Sequence, residues 1–570
     1  MSNKTTLSIG LLLVLGLLLA ACGPAATQTP LATTAPAATT APAATTAPAA
    51  TTAPAAEALT RPMVHCSDTE PITMDPHVNE YNYTRNVTEA TYEGLLLDRQ
   101  LPDGGWEIGP NLAKSWEVSD DGIEYTFYLE EGVQFTDGTP FNAEAVKWNY
   151  ERIAALAVQP AGKMYRAADL KVEVLDEYTA KIILPQAYAP FLATTRANPL
   201  FISPTAAEAH QVAGEFGEYG DYGQEWLYEN AVGTGPYLLE EWNHGESVRL
   251  VKNPDYWRGW EGNHLESIAL VWPGEAGTRK MMIMGGQCDL TVNLPFTDLP
   301  ELEADPDVVV LRMEGTSVDQ VQIRPRGPFA DPRVMQAAAH AIDYDAIVDG
   351  VLLGRSTLAS GPLAPTTMYF DTSLPPFRRD VEKAKELLTD AGYPDGLPGT
   401  YELWYLPNYK WYWQAEAELI QANLADVGIN VVAQGVPEAG PYLAEAWSPD
   451  LENEPTMFFL GASSTTGDPD TVLRKFMHTD SSPPMGENVA FYSKPEVDRL
   501  LDEGITYTDP EDRRAVYAEL QKIFVEDRPI VWLQFPDMYF FHSTTLQGYW
   551  VPPFKTAPFG SYYEMWLQGE

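Results

Sequence analysis

The sequence predicts an α/β protein with more than one core, and three observations lead there. A strand, a helix and a second strand follow one another between 402 and 433, an order that implies a parallel unit. About 510 residues follow the first 60, more than one ordinary core accommodates. Composition is globular, with 45% hydrophobic and 11% aromatic residues.

The elements follow in order. Tyr125 to Leu129 alternates as a strand should. Asn142 to Ala154 has helical spacing, with Asn142 as its cap. Lys171 to Val174 and Lys181 to Leu184 read as strands around an Asp-Glu turn, and Val248 to Val251 as another, ended by Asn253-Pro254. Pro332 to Leu352 reads as one helix capped by Asp331, with proline in its first turn. Val381 to Ala391 is a helix stopped by Gly392. Glu402 to Leu406 is a strand and Gln414 to Val427 an amphipathic helix. Gly428 stops that helix before the strand Asn430 to Ala433. A last helix spans Asp509 to Asp527, and the chain ends in short aromatic strands.

The N-terminus reads as an export signal. Lys4 supplies the charge, and Leu11 to Leu19 is an apolar run too short for a comfortable membrane span. Leu19-Ala20-Ala21-Cys22 resembles the bacterial lipoprotein box, which implies that Cys22 is acylated after residues 1–21 are removed. From Ala32 to Ala55 the unit Ala-Thr-Thr-Ala-Pro-Ala recurs, with prolines at 36, 42, 48 and 54. Nothing there is large enough to offset the entropy of ordering, so residues 22–60 are expected to form a disordered tether.

A net charge of -44 disfavours nucleic acid and anionic lipid head groups as partners. Cys66 and Cys288 are the thiols left after Cys22. They form either a disulfide or two buried free thiols. The chain has no Gly-x-Ser-x-Gly, no His-Glu-x-x-His and no Gly-x-x-x-x-Gly-Lys, and its eight histidines are scattered. No enzyme activity, metal or cofactor is expected.

Several blocks together resemble the extracytoplasmic solute-binding proteins, family 5, of peptide- and nickel-type ABC importers. They are Tyr92-Glu93-Gly94-Leu95; Leu112 to Gly122, running on through Tyr125-Thr126-Phe127, Gly132-Val133 and Asp137 to Val146; and Gly233-Thr234-Gly235-Pro236-Tyr237. Asn253-Pro254-Asp255-Tyr256-Trp257, Asp331-Pro332-Arg333-Val334 with Ala341-Ile342-Asp343, and Ala391-Gly392-Tyr393-Pro394 complete the series. The resemblance implies a two-lobed periplasmic-binding-protein type II fold. Lobe one would span 61–323, with an inserted subdomain at about 92–231. Lobe two would span 324–536, and 537–570 would return to lobe one. It further implies hinge closure on a small solute that is handed to the permease subunits of an ABC importer. A lipid-anchored monomer outside the cytoplasmic membrane is expected, in a periplasm or at a cell surface.

For the solute, a peptide-like molecule is the first reading and an oligosaccharide the alternative. A secreted hydrolase ranks below both. In oligopeptide-binding members an aspartate before an acidic-Pro pair anchors the free amine. Here Asp468-Pro469 matches the pair, but the anchor position falls on Thr465, which brings no charge. The matching cleft segment includes Gly461 and Ser463. The resemblance also offers Glu80, Asn82 and Asn293 as ligand contacts. The ring-rich stretch that holds Trp404, Trp411 and Trp413 offers stacking surfaces.

Overall fold

The computed structural model describes residues 59–78, 82–102, 105–156, 170–197, 199–407, 409–451, 456–464, 466–552 and 562–569. The expected signal, Cys22, most of the tether, Glu80 and Thr465 lie outside them.

Two large sheets carry the structure. The first has seven strands, in the order Val308–Met313, Met538–Ser543, Leu290–Val292, Met63–Cys66, Ser267–Val271, Ser247–Lys252, Tyr237–Asn243. Strand 63–66 runs parallel to 267–271 and 290–292, and the other pairings are antiparallel. The second sheet has six strands, in the order Ser356–Leu358, Val531–Pro536, Ser317–Ile323, Met457–Ser463, Tyr401–Tyr405, Val431–Gly435. The parallel unit read from the sequence is there: strand 401–405, helix Trp413–Ala425 and strand 431–435, with 401–405 parallel to both neighbours. Gly428 ends that helix at φ +82°, a backbone region that costs glycine nothing.

A four-stranded antiparallel sheet, in the order Ala113–Val118, Glu124–Leu129, Thr179–Ile183, Lys171–Asp176, is inserted into the first lobe. Its own core includes Phe127, Phe141, Tyr150 and Phe201. Asn142 caps helix Ala143–Leu156 by accepting the amide of Ala145 at 3.0 Å. The signature blocks meet around one buried carboxyl. Glu93 accepts from Thr234 Oγ1 (2.9 Å), Tyr256 Oη (2.8 Å) and Trp257 Nε1 (2.8 Å), so three blocks are fastened at one point. Burial pushes the Glu93 carboxyl up against the pull of those three donors.

The chain changes sheets between Met313 and Ser317, and again at Asp537. The lobe boundary expected at 323 therefore moves to 314–316. Strand 317–323 is a central, wholly buried member of the second sheet, paired on both sides. Arg312 Nε binds the buried Asp537 carboxylate at 2.7 Å and ties the crossings together. The single helix expected over 332–352 is two pieces. Asp331 caps Pro332–Ala341 through the amide of Arg333, Ile342 turns extended (ψ 134°), and Asp343 accepts the amide of Ala346 to start the second piece. Asp509, read as the first residue of the last helix, is the cap of Pro510–Asp527 and accepts the amide of Glu511. Near the start of the described chain, the Leu59 amide donates to the carbonyl of Leu567, on the closing ribbon of the first lobe.

Cys66 and Cys288 form a disulfide across 222 residues, inside the first lobe's sheet region. Unfolding with this bond intact leaves a large closed loop. Replacing both cysteines by serine should therefore lower unfolding stability by about 2–5 kcal/mol. Urea titration of wild type and double variant would read the loss, and equal midpoints would contradict it.

Candidate functional site

The crossing edge is where both sheets expose the carboxyl ends of parallel strands. In open α/β sheets, ligands bind outside such ends because loops there are free to vary over a rigid base. In the second lobe, strands 401–405 and 457–463 end there, next to the start of 317–323. In the first lobe, strands 63–66 and 290–292 end there.

Asp319 organises the second-lobe side. It lies on strand 317–323 with its side chain fully buried. Its Oδ1 binds Lys410 Nζ at 2.5 Å. Its Oδ2 accepts from Tyr412 Oη (2.7 Å), Gln534 Nε2 (3.2 Å) and Trp413 Nε1 (3.3 Å). Lys410 is 19% exposed and stands on the ring-rich connection between strand 401–405 and helix 413–425. Among the described residues, Asp319 is the only hydrogen-bond partner of its ammonium, which carries three donors. Gly461 faces Asp319 across the strand pair, and a Cβ there would lie 3.8 Å from Lys410 Nζ and 4.0 Å from Tyr409 Cε1. A methyl at that position would make ordinary contacts with the Asp319 carboxylate (3.6 Å), the ammonium and the Tyr409 ring. Ser463, half-buried, follows on the same face.

The rings sort into two groups. Trp413 is 1% exposed and packs on Phe459, so it is a core residue rather than the ligand contact expected of it. Its indole is committed to Asp319. Trp404 is half-buried, lies tilted to Tyr442 and edge-on to Phe458, and donates Nε1 to Glu402 Oε2 at 2.7 Å. Trp411 and Tyr409 keep open faces, at 39% and 64% exposure. Trp411 also meets Phe296 of the first lobe edge-on, at 5.3 Å between centroids, and Phe296 meets Tyr539 at 5.4 Å. These contacts bring the lobes together beside the crossings.

On the first-lobe side, Asn293 stands just past strand 290–292 at φ +55° and is exposed. It donates Nδ2 to Asp68 Oδ2 at 2.5 Å, and Arg279 holds its carbonyl at 3.2 Å. Asn82 opens helix Asn82–Thr91. Asp468, of the matching acidic-Pro pair, takes a structural part. It is buried, and Arg513 grips both its oxygens at 2.7 and 3.0 Å. Buried, with its oxygens engaged by Arg513 and by the Asp470 amide at 2.9 Å, Asp468 holds the fold and is withdrawn as a contact. Asp319, Lys410 and Asp68 escaped the sequence reading. The signal available was a lone lysine set among four aromatic rings, 409–413.

Residues 107–483 match the model of the bacterial extracellular solute-binding proteins, family 5. The chain belongs to that family. The glutathione-binding protein GsiB of Escherichia coli K12 is 32% identical over 490 residues, covering 84% of this chain and 90% of GsiB. Among solved structures, the Pseudoalteromonas dipeptide-binding protein holding Met-Leu superimposes with TM-score 0.77 at 25% identity, over 89% of this chain and all of that one. The Helicobacter pylori periplasmic binding protein DppA, holding the peptide STSA, gives 0.76 at 26% identity over 89% and 98%. This family 5 member is therefore an extracytoplasmic binding protein of the type II fold. It is the substrate-binding component of an ABC importer and not an enzyme.

Two predictions follow from the buried charges. Asp468→Ala leaves Arg513 uncompensated and should cost about 3–5 kcal/mol of stability. Chemical denaturation would show it, and a loss below 1 kcal/mol would contradict it. Glu416 is wholly buried and accepts from Gln534 Nε2 at 2.7 Å. Burial, then the neighbouring Asp319 charge, push its carboxyl well above the ordinary 4.5, against the pull of Lys410. The folded state thus holds a proton that the unfolded state releases. That stabilisation is complete below about pH 4.5 and is lost as pH rises through the folded value. Glu416→Gln keeps the acceptor for Gln534 and should flatten the fall in thermal midpoint between pH 5 and 8. A wild-type profile that the substitution leaves unchanged would exclude this assignment.

Proposed function

We propose that this import receptor captures a short peptide-like solute by its free carboxylate, on Lys410. The observation that carries this reading is the Lys410 ammonium itself. Asp319 holds it in place, it stands at the carboxyl ends of strands 401–405 and 457–463, and its side chain keeps 19% exposure there. An extended peptide laid along strand 457–463 would bring its terminal carboxylate to Lys410. Its side chains would lie on the open faces of Tyr409 and Trp411. The first lobe would contribute Asn293, and the segment with Gly461 and Ser463 would supply the backbone pairing edge. Thr465, where family peptide binders carry an aspartate, makes the carboxylate rather than the amine the main anchor. The names of the relatives agree in chemistry: glutathione, Met-Leu and STSA all end in carboxylates.

The rest of the transport cycle is read from the chain ends. Cys22 carries lipid, residues 22–60 are the tether, and a monomer presents the closed lobes to the permease subunits.

Isothermal titration with Met-Leu, Ser-Thr-Ser-Ala and reduced glutathione tests the reading, alongside C-amidated forms, N-acetylated forms and α- and β-linked oligosaccharides. C-amidation should weaken binding about 10–100-fold, the worth of a charged hydrogen bond of about 1.5–3 kcal/mol. N-acetylation should cost less. Loss on N-acetylation alone would overturn the carboxylate anchor. Binding of sugars alone would transfer the site to stacking on Trp411 and Tyr409, and Trp411→Ala would then abolish it.

A further inference from the structure

The inserted subdomain touches the second lobe directly, at a place away from the crossings and from Lys410. Two of its turns reach one connection, residues 505–508, between helices Pro495–Gly504 and Pro510–Asp527. The amide of Ala189 donates to the carbonyl of Ile505 at 2.7 Å. Gly122 sits against Thr508 so closely that a Cβ there would be 2.9 Å from Thr508 Cγ2. Beside these contacts, Tyr188 lies in the field of Asp470 and Asp468. Burial first, then those two charges, push its phenol up.

Both partners are stiff. Gly122, at φ +67°, ends the Ser119–Gly122 turn, in which Asp121 Oδ1 accepts from Ser119 Oγ (2.5 Å) and the Ile123 amide (3.1 Å). The Ile123 carbonyl in turn accepts the Leu184 amide, next to the 187–190 turn. On the other side Ile505 is fully buried and the flanking helices pack through Leu501, Val516 and Leu520. A backbone hydrogen bond between two stiff turns forms only when the lobes are together.

We propose that the inserted subdomain is a clasp: its 119–122 and 187–190 turns hold the 505–508 connection and keep the lobes closed in the absence of solute. The clasp sets the fraction of molecules in the closed state, and apparent affinity scales with the fraction competent to bind. It rests on the family assignment and not on the identity of the solute.

The test is amide hydrogen exchange on the full chain with no solute added. The Ala189 amide should exchange at least about 100-fold more slowly than in an unstructured peptide. Gly122→Ala should wedge the turn from Thr508 and cut that protection by about 10-fold or more. Adding Thr508→Ala removes Cγ2 and should restore protection, although any strain of alanine at φ +67° remains. Thr508→Trp, at an exposed position of the other lobe, should wedge the contact from the opposite side. Amides of Phe127 and Phe459, in the two separate sheets, report that each lobe stays folded. An unprotected Ala189 amide in the wild type overturns the clasp. So does protection unchanged by both wedges, or a Gly122→Ala loss that Thr508→Ala leaves in place.

Discussion

A buried carboxyl group needs partners for its lone pairs, and Asp319 obtains a cation and three neutral donors from three elements. Lys410 and Tyr412 come from the connection after strand 401–405, Trp413 from the start of the next helix and Gln534 from strand 531–536. Satisfying this one group fixes the ring-rich connection and turns Lys410 toward the crossing edge. It also pins strand 531–536 at Gln534, three residues before the crossing at Asp537. Site geometry and hinge position thus share one electrostatic requirement. Glu416, close by and equally buried, has its carboxyl pushed up by that burial and by the Asp319 charge.

The blocks that identify the family are mostly not the site. Glu93, Thr234, Tyr256 and Trp257 belong to three of them and meet in a single buried knot. Such a knot holds the inserted subdomain to the seven-stranded sheet. The Ser119–Gly122 block makes a stiff turn, and Asp331 and Asp343 are helix caps. These residues set the shape within which a variable connection such as 406–412 chooses a solute.

Legibility followed sequence distance. Caps and stops act within three residues, so Asn142, Asp331 and Gly428 were readable in advance. The break at Ile342 was not, because Pro332 to Leu352 keeps helical composition throughout and Asp343 makes an equally good internal cap. Strand 317–323 was hidden by Asp319, Gln320 and Gln322, which look solvated until their partners are placed. Lys410 lies 91 residues from Asp319, and Asp468 lies 45 from Arg513. No local pattern states that one aspartate is committed to an arginine while the other presents a lysine. Of six neighbouring rings, the sequence showed the crowding but not that Tyr405, Tyr412 and Trp413 are buried while Tyr409 and Trp411 are open.

Leu59 and Leu567 are hydrogen-bonded neighbours, so the described chain enters and leaves through the same lobe. The hinge lies within the loop between them. A force applied across the two ends would load the closing ribbon of the first lobe and leave the crossings at 314–316 and 537 unstrained. Fluorophores placed at the ends would report nothing of closure. A surface holding either end would leave the second lobe free to swing, making that lobe the moving part of the machine as seen from any anchor.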